Sequence, residues 1–166
     1  TKMHKVLLER YRKEKFVIAG TSAGAMCMSH EMISGGSSTE SMLKGAVQMR
    51  DGMNFITELI IDSHFIQRGR FGRLAEAVAR FPQLIGVGLA EDTGLVIKRG
   101  TECRVIGSGM VIIFDGKHLT HNNERILPQG TPMTMTNLVV HILANSDCYY
   151  LNGRKTEVMP VEADFM

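Results

Sequence analysis

The segment Phe16-Val-Ile-Ala-Gly-Thr-Ser-Ala-Gly-Ala-Met-Cys-Met28 constrains the fold most: an apolar run meets a Gly-Thr-Ser-Ala-Gly turn and continues as small, Met-rich residues. This is the layout of a nucleophile elbow, a strand-to-helix turn that lifts a serine hydroxyl clear of a sheet edge. It predicts a strand over Phe16–Ala19, a sharp turn at Gly20-x-Ser22-x-Gly24, and a helix running on to Met32 and ending near Ser34-Gly35-Gly36. The flanking glycines read as steric necessities, because the turn strains the backbone at the serine and a Cβ on either side would collide with strand or helix. The first N–H groups of a helix have no intrahelical partner. Those of Ala23 and Gly24 are therefore candidate donors to negative charge developing beside Ser22. A capping serine in an ordinary Gly-rich βα turn has the same letters, so the context must decide.

A chain of 166 residues with 44% apolar composition can bury one ordinary core, so residues 1–166 are expected to form a single domain. The elbow arrives after one helix and one strand, whereas a doubly wound sheet lays down strands before such a turn. The reading is therefore of the C-terminal portion of a longer chain, with N-terminal strands missing. A net charge of +2 with locally clustered basic residues gives no uniformly basic face, so no nucleic-acid partner is expected. No apolar run reaches membrane-spanning length, and no signal-peptide core is seen, so no membrane partner is expected either. Cys27, Cys103 and Cys148 are widely spaced and match no ligand or disulfide pattern. They read as free thiols in a reducing compartment, which implies a cytoplasmic location and no metal site.

Along the chain, Met3, Val6, Leu7 and Tyr11 recur at helical spacing and predict an amphipathic helix over 2–14. Met42 to Met49 reads as a short strand. Leu59-Ile-Ile-Asp62 and Leu84-Ile-Gly-Val-Gly-Leu89 are near-continuous apolar runs, as in strands buried on both faces. Between them, Leu74, Ala75, Ala77, Val78 and Phe81 form the stripe of a helix stopped by Pro82. From Gly94 the pattern changes to short strands with turns at Arg99-Gly100, Gly107-Ser-Gly109 and Asp115-Gly116, an antiparallel β meander. Asn137 to Leu143 reads as a helix.

Ligand sites of open α/β sheets lie at the carboxyl ends of strands. Ser22, His64 and a carboxylate from Glu40 or Glu91 fall at such positions. A serine hydroxyl becomes a nucleophile when a histidine accepts its proton, and an acid on the far ring nitrogen fixes the tautomer. Of six histidines, His64 follows an apolar strand and precedes a segment dense in arginine and glycine. A solvated helix face is the ordinary reading of Arg68, Arg70 and Arg73. The interleaved glycines favour instead a close approach of guanidinium groups to a carboxylate.

Gly20-Thr-Ser-Ala-Gly-Ala25, Ile61-Asp-Ser-His-Phe-Ile-Gln-Arg-Gly-Arg-Phe-Gly-Arg-Leu74, Gly86-Val-Gly-Leu-Ala-Glu-Asp-Thr93 and Val105-Ile-Gly-Ser-Gly109 together resemble cyanophycinase and its relatives in the dipeptidase E family of serine peptidases, peptidase family S51. The resemblance implies an α/β fold, a three-layer flavodoxin-like sheet similar to class I glutamine amidotransferases with helices on both faces. It also implies Ser22 as nucleophile and His64 as base. Asp62, Ser63, Arg68, Arg70 and Arg73 fall where that family holds the substrate's charged groups. The family's acid lies between serine and histidine in the chain, which maps onto Glu40. Glu91 matches an acidic residue at a strand end and is kept as a second catalytic candidate. The family commonly has glutamine in place of Ser63 and aspartate in place of Ala90, departures that bear on substrate preference.

The expected function is hydrolysis of an aspartyl-linked polymer, an aspartate backbone with arginine on its β-carboxyls, to β-aspartyl-arginine dipeptides, without a cofactor. The alternatives are an isoaspartyl or α-aspartyl dipeptidase and a non-catalytic anion-binding module. The expected partner is an acidic or cyanophycin-like peptide, with a homodimer as the candidate assembly.

Overall fold

The computed structural model describes residues 1–36 and 42–160. Its elements run α1 (Lys2–Lys13), α2 (Ala23–Met26), β1 (Glu31–Gly36), β2 (Val47–Asp51), β3 (Leu59–Asp62), α3 (Phe71–Arg80), β4 (Ile85–Leu89), β5 (Thr93–Lys98), β6 (Glu102–Gly107), β7 (Val111–Asp115), β8 (Val139–Leu143), β9 (Cys148–Tyr150) and β10 (Lys155–Glu157). The fold is α/β with mixed sheets.

The central sheet has the order β3-β4-β7-β8. β3 and β4 are parallel, joined by the α3 crossover, while β7 and β8 add antiparallel strands. Every residue of β3 and of β7 is buried, which is why both read as continuous apolar runs ending in aspartate. Leu59, Ile61, Ile85, Val87, Val111 and Ile113 face one way. There they pack against Cys103, Val105 and Tyr149 of a second sheet, ordered β10-β9-β6-β5. Ile60, Ile112 and Phe114 face the other way, onto Leu74, Ala75 and Val78 of α3 and onto Ile33 and Val47 of the β1–β2 pair. Each fully buried aliphatic side chain contributes about 1.5–3 kcal/mol to this layering.

The expected meander strands are all formed, with turns at the expected glycines, but they divide between two sheets. β5 and β6 pair with each other, whereas β7 crosses into the central sheet because all five of its residues are buried. Three local expectations are corrected. The segment 137–143 holds strand β8 at Val139–Leu143, not a helix: its β-branched Val139, Val140 and Ile142 pair with β7 along the strand's whole length. The elbow helix stops at Met26, because the backbone of residues 27–30 bonds instead to residues 52–56, as in His30 N–H to Ile56 O at 2.9 Å and Met53 N–H to Cys27 O at 2.7 Å. Glu31–Gly36 is accordingly a strand. Phe16–Ala19 forms no ladder among the described residues, and Val17 is 89% exposed. An apolar segment becomes a strand only where another lies beside it.

α1 is formed as expected but buries none of its residues. It is fastened by His4 Nε2, which donates to Met53 O at 2.7 Å, and by an edge contact of Tyr11 on Phe55. Met53 in turn meets Cys27, at the end of α2, at 3.7 Å. No helix among the described residues is long and apolar enough to cross a membrane.

Candidate active site

Three chain segments converge at one end of the central sheet. Parallel pairing sets Asp62 beside Gly88, so the residues that follow β3 and β4 emerge side by side. His64 is two residues beyond the end of β3 and Glu91 two beyond the end of β4. The turn after His64 is closed onto β4 by Phe65, whose N–H donates to Leu89 O at 3.0 Å. Its ring covers Gly88, where a Cβ would stand 2.5 Å from the ring carbon.

The elbow supplies the third segment. Ser22 has φ 51° and ψ −121°, a left-handed conformation rare for a residue with a side chain, and α2 begins at the next residue. Gly20 is required by space, since a Cβ there would lie 2.4 Å from Gly24 O. The expectation of a matching constraint at Gly24 is corrected: a Cβ at that position meets nothing within 4 Å.

Ser22 Oγ lies 3.0 Å from His64 Nε2, and His64 Nδ1 lies 2.8 Å from Glu91 Oε1. A carboxylate only accepts hydrogen bonds. Nδ1 therefore carries the ring proton and donates to Glu91, which leaves the Nε2 lone pair to accept from the Ser22 hydroxyl. This arrangement can deprotonate the serine and hold the resulting imidazolium. The His64 side chain is 29% exposed and that of Glu91 48%. A cavity of about 780 Å³ opens here, with Thr21, Ser22, His64 and Glu91 in its wall and Ile61, Val87 and Leu95 among its apolar lining. Glu40 lies outside the described residues.

Of the two candidate oxyanion donors, the structure separates one from the other. Gly24 N–H donates to Thr21 O at 2.8 Å inside the turn and is therefore engaged. Ala23 N–H has no acceptor among the described residues and opens the helix directly after Ser22.

The residues expected to hold substrate charges do not share one face. Asp62 is fully buried, and its carboxylate is saturated. Oδ2 accepts from Arg73 Nε at 2.8 Å, and Oδ1 accepts from Arg73 Nη2 at 2.5 Å, Arg70 Nη1 at 3.1 Å and Ser63 N–H at 2.9 Å. Arg73 is 5% exposed and turned inward. Ser63 is also buried, its hydroxyl 3.4 Å from Met26 Sδ on the elbow helix. A buried, fully paired group has no surface to offer a ligand, so Asp62 and Arg73 stand behind the site, while Ser63 lines the cavity with its hydroxyl turned to Met26. Burial pulls the Arg70 guanidinium below its ordinary pKa, with Asp62 opposing that shift. Arg68 alone of the three arginines is exposed, on the turn between His64 and α3. No group of three or more potential metal-ligating side chains occurs among the described residues.

Sequence reasoning placed Arg70 and Arg73 on the ligand side because alternating Gly and Arg looks like a binding loop. The signal against it was the helix that starts at Phe71, which puts Arg73 on the same inward face as Leu74 and Ala77. Gln67 was not singled out at all, yet its Oε1 accepts from Glu91 N–H at 3.3 Å and ties the two strand ends together.

Peptidase family S51 matches residues 1–106. Among curated proteins, the chain is similar to a cyanophycinase of Trichormus variabilis, 42% identical over 93% of this chain and 52% of that protein. It is similar to a cyanophycinase of Geminocystis herdmanii at 40% identity over 90% of this chain and 56% of that protein. A cyanophycinase of Synechococcus elongatus is 33% identical over 86% of this chain and 44% of that protein. The chain thus spans about half the length of the curated relatives it matches. With an elbow serine in line with a histidine and a carboxylate, and with a family match over most of its length, this chain belongs to peptidase family S51.

Proposed function

We propose that this chain carries the hydrolytic centre of a cyanophycinase-type serine peptidase, with Ser22 as nucleophile, His64 as base and Glu91 as acid. The observation that carries the reading is the unbroken hydrogen-bond line from Ser22 Oγ through both His64 nitrogens to Glu91 Oε1. Ser22 Oγ attacks the scissile carbonyl as its proton passes to His64 Nε2. Ala23 N–H faces the oxyanion that forms. His64 then gives that proton to the departing amine, and the C–N bond breaks to leave an acyl-serine. Water attacks the ester next, losing a proton to His64, and the carboxylic acid departs as Ser22 regains its hydrogen. Glu91, fixed on Nδ1, stabilises the imidazolium in both halves.

The names of the relatives support cyanophycin, or a peptide like it, as substrate. Its free carboxylates suit the exposed guanidinium of Arg68. Three cysteines without disulfide partners support a reducing, cytoplasmic setting. No nucleic acid, membrane or cofactor enters this reading, and two cores built on the opposite faces of one central sheet support treating the chain as a single hydrolytic domain.

The test is release of β-aspartyl-arginine from cyanophycin by the full-length protein, beside a Ser22→Ala variant and a panel of aspartyl dipeptides. Dipeptide release that vanishes in the variant supports the proposal. Cleavage of the small peptides alone moves the function to a dipeptidase on the same machinery. Ligand binding without hydrolysis sinks the enzymatic reading.

A further inference from the structure

Ser22 hydrogen-bonds to His64, and His64 sits in a backbone conformation it would not choose. Its φ is 49°, the left-handed region, and it is followed by a tight turn in which His64 O accepts from Arg68 N–H at 3.1 Å. The φ of a residue is the rotation between the peptide preceding it and its own Cα. A tie on the Ser63–His64 peptide therefore anchors one side of that rotation and limits where the imidazole can point.

That peptide is gripped through its oxygen. Ser63 O accepts from Arg70 Nη1 at 2.6 Å, and the same nitrogen donates to Asp62 Oδ1 at 3.1 Å. Asp62 also holds Ser63 N–H, so the peptide bonds on both sides of Ser63 are tied to one buried ion cluster. Asp62 itself cannot shift, because Arg73 engages both of its carboxylate oxygens from α3. Arg70 stands at the N-terminal boundary of α3 and its side chain is only 14% exposed. This enclosed guanidinium, its Nη1 shared between a backbone carbonyl and a buried carboxylate, is placed to hold backbone.

We propose that Arg70 is a positioning residue for the proposed reaction, acting through the Ser63 carbonyl to keep the His64 imidazole in line between Ser22 and Glu91. The inference rests on the catalytic reading given above. It differs from a ligand-binding role in what it predicts: loss of the clamp weakens the nucleophile toward every acyl or phosphonyl group, charged or not.

The experiment uses the full-length protein and a small, neutral alkyl fluorophosphonate, which reacts with an activated serine and offers no carboxylate for an arginine to bind. Labelling rates are compared for wild type, Arg70→Ala, Arg70→Lys and Ser22→Ala, together with kcat and KM on cyanophycin. Lysine keeps the charge but its stem ends short of the Nη1 position. Misplacing a catalytic group by an ångström costs on the order of 100-fold in rate. Arg70→Ala is expected to lose labelling rate and kcat by about that factor with KM within about twofold of wild type, and added guanidinium ion is expected to restore part of both. Arg70→Lys is expected to fall between the two. Labelling at the wild-type rate in either folded variant, with the loss confined to KM, would overturn the inference and return Arg70 to ligand binding. Should Arg70→Ala fail to fold, Arg70→Lys decides by the same criterion. The Ser22→Ala arm is separate: if it still hydrolyses the polymer, the catalytic reading fails whatever Arg70 does.

Discussion

The Glu91 carboxylate stands 2.8 Å from Nδ1 of His64 although the two residues are 27 positions apart and leave different strands. Their meeting is a consequence of parallel pairing. β3 and β4 end together, so the loops beyond them share one edge of the sheet, and Phe65 pins the first loop to the second strand.

This relationship sets the first expectation. Replacing Glu91 with glutamine keeps the shape and removes the anion, so the imidazolium loses its partner and Nδ1 its tautomeric bias. Positioned acid–base groups contribute about 10²–10⁴ in rate, and the half-exposed Glu91 side chain, within reach of water, belongs at the lower end. A fall in kcat of about 100-fold is expected for Glu91→Gln, with a smaller effect for Glu40→Gln. Steady-state kinetics of the two variants side by side checks it, and a larger loss at Glu40 would reverse the assignment of the acid.

The elbow glycines should behave differently from each other. A methyl group at Gly20 would sit 2.4 Å from Gly24 O, a backbone atom that cannot swing aside. Gly20→Ala is expected to cost about 1–3 kcal/mol of stability, as overpacking generally does. Gly24 is helical with open space around its Cα, so Gly24→Ala is expected to leave the thermal midpoint unchanged or raise it, in line with about 0.5–1 kcal/mol favouring alanine in a helix. Thermal unfolding of the two single variants separates them.

β3, β4 and the elbow turn were legible because their patterns are local: the two strands announce themselves as apolar runs, and Gly-x-Ser-x-Gly is read in place, whereas the apolar Phe16–Ala19 has no strand beside it among the described residues. The segment 137–143 was not, because Val139, Val140 and Ile142 suit either a helix stripe or a strand, and only the presence of β7 alongside decides between them. The same holds for residues 27–32, whose helical look is overridden by backbone bonds of 27–30 to residues 52–56 and by the pairing of Glu31 and Met32 with β2. At the site, His64 could be singled out as a strand-end residue, but its partner could not: the order of the chain pointed to Glu40, and the carboxylate that reaches Nδ1, Glu91, is set there by the pairing of β3 with β4. The inward turn of Asp62 and Arg73 was hidden for a related reason. Charge normally marks surface, and a buried ion cluster is visible only when its partners are brought together in space.

Asp62 ought to be among the least replaceable residues of the chain. Asparagine there would keep one oxygen for hydrogen bonding but leave Arg70 and Arg73 without a counter-charge in a buried setting. Breaking a buried pair from one side typically costs about 3–5 kcal/mol. Denaturant unfolding of Asp62→Asn is expected to show a loss of that order, and a loss below about 1 kcal/mol would mean that the cluster is open to water, as surface pairs are.

Glu76 gives an expectation of opposite sign, on α3 and away from the proposed catalytic line. Its Oε1 accepts from Gly45 N–H at 2.9 Å and Val47 N–H at 3.3 Å, while Oε2 is buried without a partner among the described residues. Burial raises its pKa above the ordinary 4.5, and the two backbone N–H groups only partly offset this. A carboxyl with a raised folded-state pKa binds its proton more tightly when folded than when unfolded. Between 4.5 and the raised value the folded state therefore carries more protons, and stability falls as pH rises through that window. Glutamine in place of Glu76 keeps an oxygen for both N–H bonds and carries no charge to desolvate. The expected result is that Glu76→Gln is at least as stable as wild type at neutral pH, with an advantage that shrinks as pH falls toward 4.5. Unfolding curves of both proteins across that range provide the measurement. An advantage that grows on acidification would mean that the Glu76 carboxylate is stabilised by the fold, and the raised pKa would be wrong.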